Sequence, residues 1–251
     1  MTSEAFARAQ QLHASGELDA AGSLYEQCLR EVPDDWRALT RLGLVRVQQQ
    51  RYGDAQPLLE RAVALKPGNA EAHTWLGEAL RNERRLDPAA AAFREALRIQ
   101  PSFPPAWFNL GLTLQESGDL AAAREAFAQF LALRPTDPRA RRELAKLASA
   151  AGDVEQAIGW LRQHLEGFPG DASAAYELAE AYEALAHLPS AIACYERVAA
   201  LAPGRADIHN ALAVAHHNLA QHDEALAEYR KALELRPDFA EVHSNLLVAL
   251  H

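Results

Sequence analysis

The chain has only two cysteines in 251 residues, Cys28 and Cys194, and they lack the close spacing of a metal-ligand pair. That usage fits a reduced, cytoplasmic protein rather than a disulfide-stapled one. Basic residues are in deficit: 25 Lys and Arg against 34 Asp and Glu leave a formal net charge of −9. A nucleic-acid binder needs a basic footprint to displace counterions, and an anionic membrane surface attracts the same kind of patch. Neither partner is expected. No stretch approaches the roughly 18 uninterrupted apolar residues of a membrane span. The opening MTSEAFARAQQLHASGELD has no basic start followed by an apolar run, so it does not read as a signal peptide. Glycine-rich phosphate loops and nucleophile elbows are also missing. No cofactor and no enzymatic constellation is expected in this chain.

What the chain does have is a period. Pro33, Pro67, Pro101, Pro135, Pro169, Pro203 and Pro237 follow one another at intervals of 34 residues. Placing each at position 32 of a 34-residue unit puts the rest in register. Position 20 is then Ala21, Ala55, Ala89, Ala123, Ala157, Ala191 and Ala225. Position 7 is leucine from the second unit on, and position 8 is small: Ala9, Gly43, Gly77, Gly111, Ala145, Ala179 and Ala213. Position 24 is large: Tyr25, Leu59, Phe93, Phe127, Leu161, Tyr195 and Tyr229. Apolar residues at positions 4, 7, 8 and 11, then 17, 20, 24, 27 and 28, follow helical spacing twice over. Between the two runs lie turns such as SGELD, SGDL and AGDV, whose glycines suit a left-handed helix end. The small residues let the paired helices approach closely. The closing proline stops the second helix, because it has no amide donor. The six remaining prolines (57, 88, 104, 105, 138 and 189) are expected in the first turn or approach of a helix, where proline is tolerated.

This pattern resembles the tetratricopeptide repeat (TPR) family, with WFNLG at 107–111 followed by Ala123, Phe127 and Pro135 as the best single match. The resemblance implies an all-α solenoid of antiparallel helix pairs wound into a right-handed superhelix, with the first helix of each pair lining a concave groove. The repeats are 2–35, 36–69, 70–103, 104–137, 138–171, 172–205, 206–239 and a partial eighth at 240–251, forming one array over 1–251. Arg8 stands at position 7 of the first repeat, as a polar cap would. The ending HSNLLVALH offers Leu246, Val248, Ala249 and Leu250 without the second helix that would cover them. PDFAEVHSNLLVALH further resembles the repeat region of SPINDLY-type protein O-linked N-acetylglucosamine transferases. That similarity implies that the array is the acceptor-binding arm of a longer enzyme. Self-association through the last helix is a third possibility.

Positions 2, 5, 6, 9, 12 and 13 are expected to face the groove. The candidate peptide-binding residues are Arg37, Arg41, Leu44, Trp75, Arg81, Phe108, Asn109, Leu112, Arg142, Tyr176, Glu180, Asn210 and Asn245. They mix basic, aromatic and acidic zones, which suits a polypeptide ligand of mixed charge. The carboxylate clamp of chaperone-binding members needs Lys at position 5 and Asn at position 9; neither stands there in the first repeat. Of the glycosyltransferase relatives' asparagine ladder at position 6, only Asn109 and Asn245 are present. His209, His216, His217, His222 and His243 crowd the last third. They read as structural, since a metal site needs three or four converging ligands. The chain is expected to be a non-catalytic scaffold that binds a partner protein or peptide in its groove.

Overall fold

The computed structural model describes residues 2–249, with side chains from residue 4 onward. Among these residues every regular element is a helix. The first helices of the repeats are α1 (Thr2–Ala14), α3 (Trp36–Gln48), α5 (Ala70–Asn82), α7 (Pro104–Ser117), α9 (Pro138–Ala150), α11 (Ala172–Ala184), α13 (Ala206–Asn218) and α15 (Ala240–Ala249). The second helices are α2 (Leu18–Glu31), α4 (Tyr52–Leu65), α6 (Leu86–Ile99), α8 (Leu120–Leu133), α10 (Val154–Gly167), α12 (Leu188–Leu201) and α14 (His222–Leu235). The chain forms two compact units, Met1–Pro135 and Thr136–His251. In each, a helix packs on its hairpin partner and then on the first helix of the next repeat. In the first unit α3 also meets α5, and α5 meets α7, whereas successive second helices there do not touch to a comparable degree. The first helices are therefore the inner layer of that unit.

Each hairpin is held by a notch and a knob. The seven position-20 alanines are all 0% exposed, so the helix crossing leaves no room at that point. Opposite, position 8 faces position 24. A Cβ added at Gly43 would lie 2.5 Å from Leu59 Cγ, and one at Gly77 2.8 Å from Phe93 Cε1. At Gly111 it would lie 2.7 Å from Phe127 Cε1. Glycine is required there by contact, not by backbone freedom. In the remaining repeats alanine faces the large residue, and Tyr25, Leu161, Tyr195 and Tyr229 are all buried.

The turn between the paired helices needs a left-handed residue at position 15. Gly16, Gly118 and Gly152 supply it with φ of 84°, 88° and 77°. The other four repeats force it on Gln50, Arg84, Ala186 and Ala220, with φ between 54° and 62°. Each of these carries the steric cost of an L side chain in that region. Several helix starts are capped by a side chain accepting a backbone N–H: Asp35 from Arg37, Asn69 from Ala72, Asp119 from Ala122, Asp153 from Gln156 and Asp171 from Ala174.

Pro57 corrects the proline expectation. The other five lie in the first turn of their helices, but Pro57 is the sixth residue of α4 and lies inside it. Its ring nitrogen cannot donate to the Gly53 carbonyl, so one intrahelical bond is lost.

Candidate functional site

The inner layer brings together residues one repeat apart, and most of the expected binding groups are used there. In the first unit Arg41 Nη1 donates to Glu71 Oε1 at 2.9 Å, and Trp75 Nε1 to the same oxygen at 3.4 Å. Arg81 Nη1 donates to Glu116 Oε1 at 2.7 Å. Asn109 Nδ2 reaches Glu78 Oε2 at 3.4 Å. Burial pushes the Glu78 carboxyl up, against the pull of Arg81 and Asn109. Phe108 turns toward the second helix, with its ring 5.7 Å from Phe127 and 5.2 Å from Phe130. Leu44 is buried and Leu112 half-buried, while Arg37 is exposed.

The second unit repeats the theme. Arg142 contacts Asp171 at 3.3 Å, Glu177 at 2.8 Å and the Ser173 hydroxyl at 2.7 Å. Tyr176 packs on Tyr195 with ring centres 5.8 Å apart, and the Arg205 guanidinium lies over the Tyr176 ring, 5.2 Å from its centroid. Burial, then donation to Glu180, pushes the Tyr176 phenol up to about 12. Asn210 is buried and donates to Glu241 at 3.1 Å, while Asn245 donates to Asn210 Oδ1 at 3.2 Å. Glu180 stays exposed. The alternating charged zones therefore largely neutralise themselves, leaving Arg37 and Glu180 as the most accessible charges of the candidate set.

Sequence reasoning missed the acceptors, Glu71, Glu116 and Glu241, and the floor of the layer. Their signal was available: Arg81 with Glu116 and Arg142 with Glu177 are each 35 residues apart, one repeat plus one position. It also missed two cavities at equivalent register. One, of about 320 Å³, lies between α1 and α3 and is lined by Gln10, His13, Ala14, Tyr25, Arg41 and Gln48. The other, of about 410 Å³, lies between α9 and α11 over α10 and is more apolar. Ala145, Val154 and Leu161 line its interior, with Lys146, Glu177 and Glu180 among its polar residues.

The histidines are dispersed in their roles. His209 Nδ1 pairs with Glu228 at 2.6 Å, His216 with Gln221 at 2.8 Å, and His243 Nε2 with the Pro237 carbonyl at 2.8 Å. Among the described residues no three of His, Cys, Asp and Glu gather as a metal site would require. Of the two cysteines, Cys28 is buried and Cys194 half-buried. No described helix is long and apolar enough to cross a membrane.

The last helix corrects the reading of HSNLLVALH. Leu246 and Ala249 are not uncovered: they pack with Val242 against Ala213, Tyr229 and Ala232 of the preceding hairpin. Helical spacing turns their neighbours outward instead, so Leu247 and Val248 are 63% and 67% exposed. Leu250 lies outside the described residues.

Comparison with known proteins agrees with this architecture. A family model described as tetratricopeptide repeat matches residues 6–52, 40–104 and 108–172, and a second so described matches 148–215. One described as TPR repeat matches 221–251. The C-terminal part of a TPR repeat-containing protein from Cytophaga hutchinsonii is similar at a TM-score of 0.80 and 16% identity, over 96% of this chain and 99% of that one. YrrB, a TPR protein with an unusual peptide-binding site, is similar at 0.65 and 18% identity, over 74% and 96%. The Cut9–Hcn1 hetero-tetramer of the APC/C is similar at 0.61 and 20%, over 97% of this chain but 48% of that one. At these identities the likeness is one of fold. No curated protein matches the chain. The 34-residue period, the helix hairpins it produces and family models matching well over half the length agree, and the chain belongs to the tetratricopeptide repeat family, whose members generally mediate protein–protein interactions.

Proposed function

We propose that the layer of first helices in each unit binds a partner polypeptide as an extended segment, and that the protein acts as a non-catalytic scaffold. The observation that carries this reading is the pair of cavities at the same register, one in each unit, both on the first-helix side of a hairpin. A surface whose charges are paired offers little to a free ion, but in each unit a pocket in the first-helix layer suits a side chain of a peptide. Trp75, on α5, stands half-exposed, a rigid aromatic of the kind that anchors interfaces. YrrB's peptide-binding site supports the class of ligand. The use of only two cysteines fits a reducing compartment, the cytoplasm. The test is a peptide array probed with wild-type protein and with Trp75→Ala and Glu180→Lys. Weaker capture at a melting temperature within a few degrees of wild type is expected. Unchanged capture by both variants refutes the assignment of this face.

A second reading, the acceptor-binding arm of an O-linked N-acetylglucosamine transferase, rests on the resemblance of residues 237–251 and on the exposed Leu247 and Val248. Its asparagine-ladder chemistry finds Asn109 and Asn245 already engaged by Glu78 and Asn210. The mass of the polypeptide in its own cells separates the two readings: about 27.5 kDa supports the free scaffold, and tens of kilodaltons more supports the arm.

A further inference from the structure

Between the second helices α2 and α4 of the first unit lies a cavity of about 600 Å³, away from the first-helix layer. Leu39 and Leu42 of α3 are its buried floor, and Leu29 of α2 and Leu58 of α4 are half-buried walls. Three departures from the repeat meet there. Position 11 is apolar in repeats one, three, four, five and six (Leu12, Leu80, Leu114, Ala148 and Tyr182) and His216 in the seventh, but in the second it is Arg46. Only the second repeat has glycine at position 18, Gly53, and only the second has proline at position 22, Pro57. Arg46, Gly53 and Pro57 all line the cavity.

None of the three serves the hairpin. Glycine and proline both cost stability inside a helix, and Pro57 deprives the Gly53 carbonyl of its amide donor. The Arg46 side chain is only 12% exposed and depends on Glu26 and Gln49 to satisfy it. Local violations of this kind concentrate at functional sites. The charge of the cavity is also the reverse of the chain's. Four arginines line it, Arg30, Arg46, Arg51 and Arg61, against two carboxylates, Glu26 and Asp54, in a chain of net charge −9. Arg46 is committed to Glu26. Arg51 and Arg61 make exposed pairs with Asp54 and Asp34, of a kind that contributes little and exchanges readily. Arg30 is exposed and forms no ion pair among the described residues.

We infer that this second-helix face is a docking site for an acidic, leucine-bearing segment of a partner polypeptide, separate from the first-helix layer. A large apolar side chain of the segment rests on Leu29 and Leu58, and a neighbouring Asp or Glu side chain pairs with Arg30. The Gly53 carbonyl accepts a backbone N–H of the segment in place of the amide that Pro57 lacks. The array can then hold two polypeptides at once, one on each side of the first unit.

The experiment uses the full chain and three pools of amidated peptides, end-labelled with one dye, on a Gly–Ser background. The first pool carries Glu and Leu, the second Gln and Leu, the third Glu and Ala. The Glu–Leu pool is expected to bind about tenfold more tightly than the Glu–Ala pool, as burial of one leucine supplies. It should bind about threefold more tightly than the Gln–Leu pool, as an exposed charge pair supplies, and that margin should shrink in high salt. Arg30→Glu should abolish the preference for Glu over Gln. Arg98→Glu, the same change at position 29 of the third repeat, should not. Pro57→Ala should melt higher than wild type yet bind the Glu–Leu pool about threefold more weakly, because the restored amide takes the Gly53 carbonyl. Equal binding of the three pools, or binding of none, overturns the inference. So does a Glu preference that survives Arg30→Glu, or undiminished binding by Pro57→Ala. Loss of the preference in Trp75→Ala but not in Arg30→Glu would put the peptide on the first-helix layer and overturn the second-helix site alone. If the unliganded chain dimerises in sedimentation and Arg30→Glu abolishes the dimer, the occupant is a second copy, and the assignment to a separate partner is overturned.

Discussion

Replacing Gly77 and Gly159 by alanine makes the same chemical change at two helical sites with opposite expected signs. Alanine gains about 0.8–1.0 kcal/mol over glycine in a helix interior. At Gly159, in α10, a new Cβ meets nothing within 4 Å, so the whole gain should appear as added stability. At Gly77 the Cβ would lie 2.8 Å from Phe93 Cε1 and Cζ and 3.0 Å from Cδ1. Phe93 is 0% exposed and has nowhere to retreat. Overpacking of a close contact costs about 1–3 kcal/mol, and three ring atoms at this range argue for the upper half. After the helix gain is subtracted, Gly77→Ala should destabilise by about 1–2 kcal/mol. For a chain of this size that is a fall of roughly 2–8 °C in melting temperature, measurable by circular dichroism. A melting temperature at or above wild type for Gly77→Ala would show that the helices simply move apart, as the alanine–tyrosine pairs of other repeats already permit.

Arg84→Gly and Ala220→Gly should each stabilise by about 0.5–1 kcal/mol, because φ of 62° and 60° is relieved at those turns; unchanged denaturant midpoints would count against strain there. Pro57→Ala should stabilise by about 1–3 kcal/mol by restoring the amide that bonds the Gly53 carbonyl, and a less stable variant would mean the ring itself is needed. Burial opposes the charge on Asp171, but the Ala174 amide, His164 and Arg142 outweigh it and hold the carboxyl below its ordinary range. Its folded pKa is depressed, so its contribution is present above the unfolded pKa and lost as pH falls through the folded one. Asp171→Asn should therefore lower stability at neutral pH and flatten the acid limb of the stability profile; parallel profiles would refute the linkage.

The helix pairs were legible because one spacing fixes everything that depends on backbone geometry. The position-20 alanines, the notch at position 8 and the knob at position 24 are each dictated by contact within a single hairpin, and a single hairpin is what a periodic sequence describes. Position 15 was legible where it is glycine and invisible at Gln50, Arg84, Ala186 and Ala220, since packing on both sides imposes the turn whatever residue occupies it. Pro57 escaped because its position looks like an ordinary helix approach until the start of α4 is located at Tyr52. The candidate site was less legible. A register assigns Phe108 and Tyr176 to a face, but it does not reveal that an aromatic neighbour in the second helix draws the ring inward. Nor does it state which carboxylate from the next repeat meets Arg41 or Arg142. Those facts belong to pairs of repeats rather than to the repeat.

The cross-repeat ion pairs give the array an order that its backbone does not require. Excision of residues 70–103 would leave every leucine and alanine in register, yet Pro105 would replace Glu71 opposite Arg41. Excision of residues 172–205 would present Ala211 to Arg142 in place of Glu177, leaving Asp171 as its carboxylate partner. Such shortened chains keep their helices, but the first strands its guanidinium at the new seam and the second loses one of two carboxylate partners. The repeats are thus interchangeable as bricks and not as neighbours, and a rearranged array announces its junctions as unpaired charge.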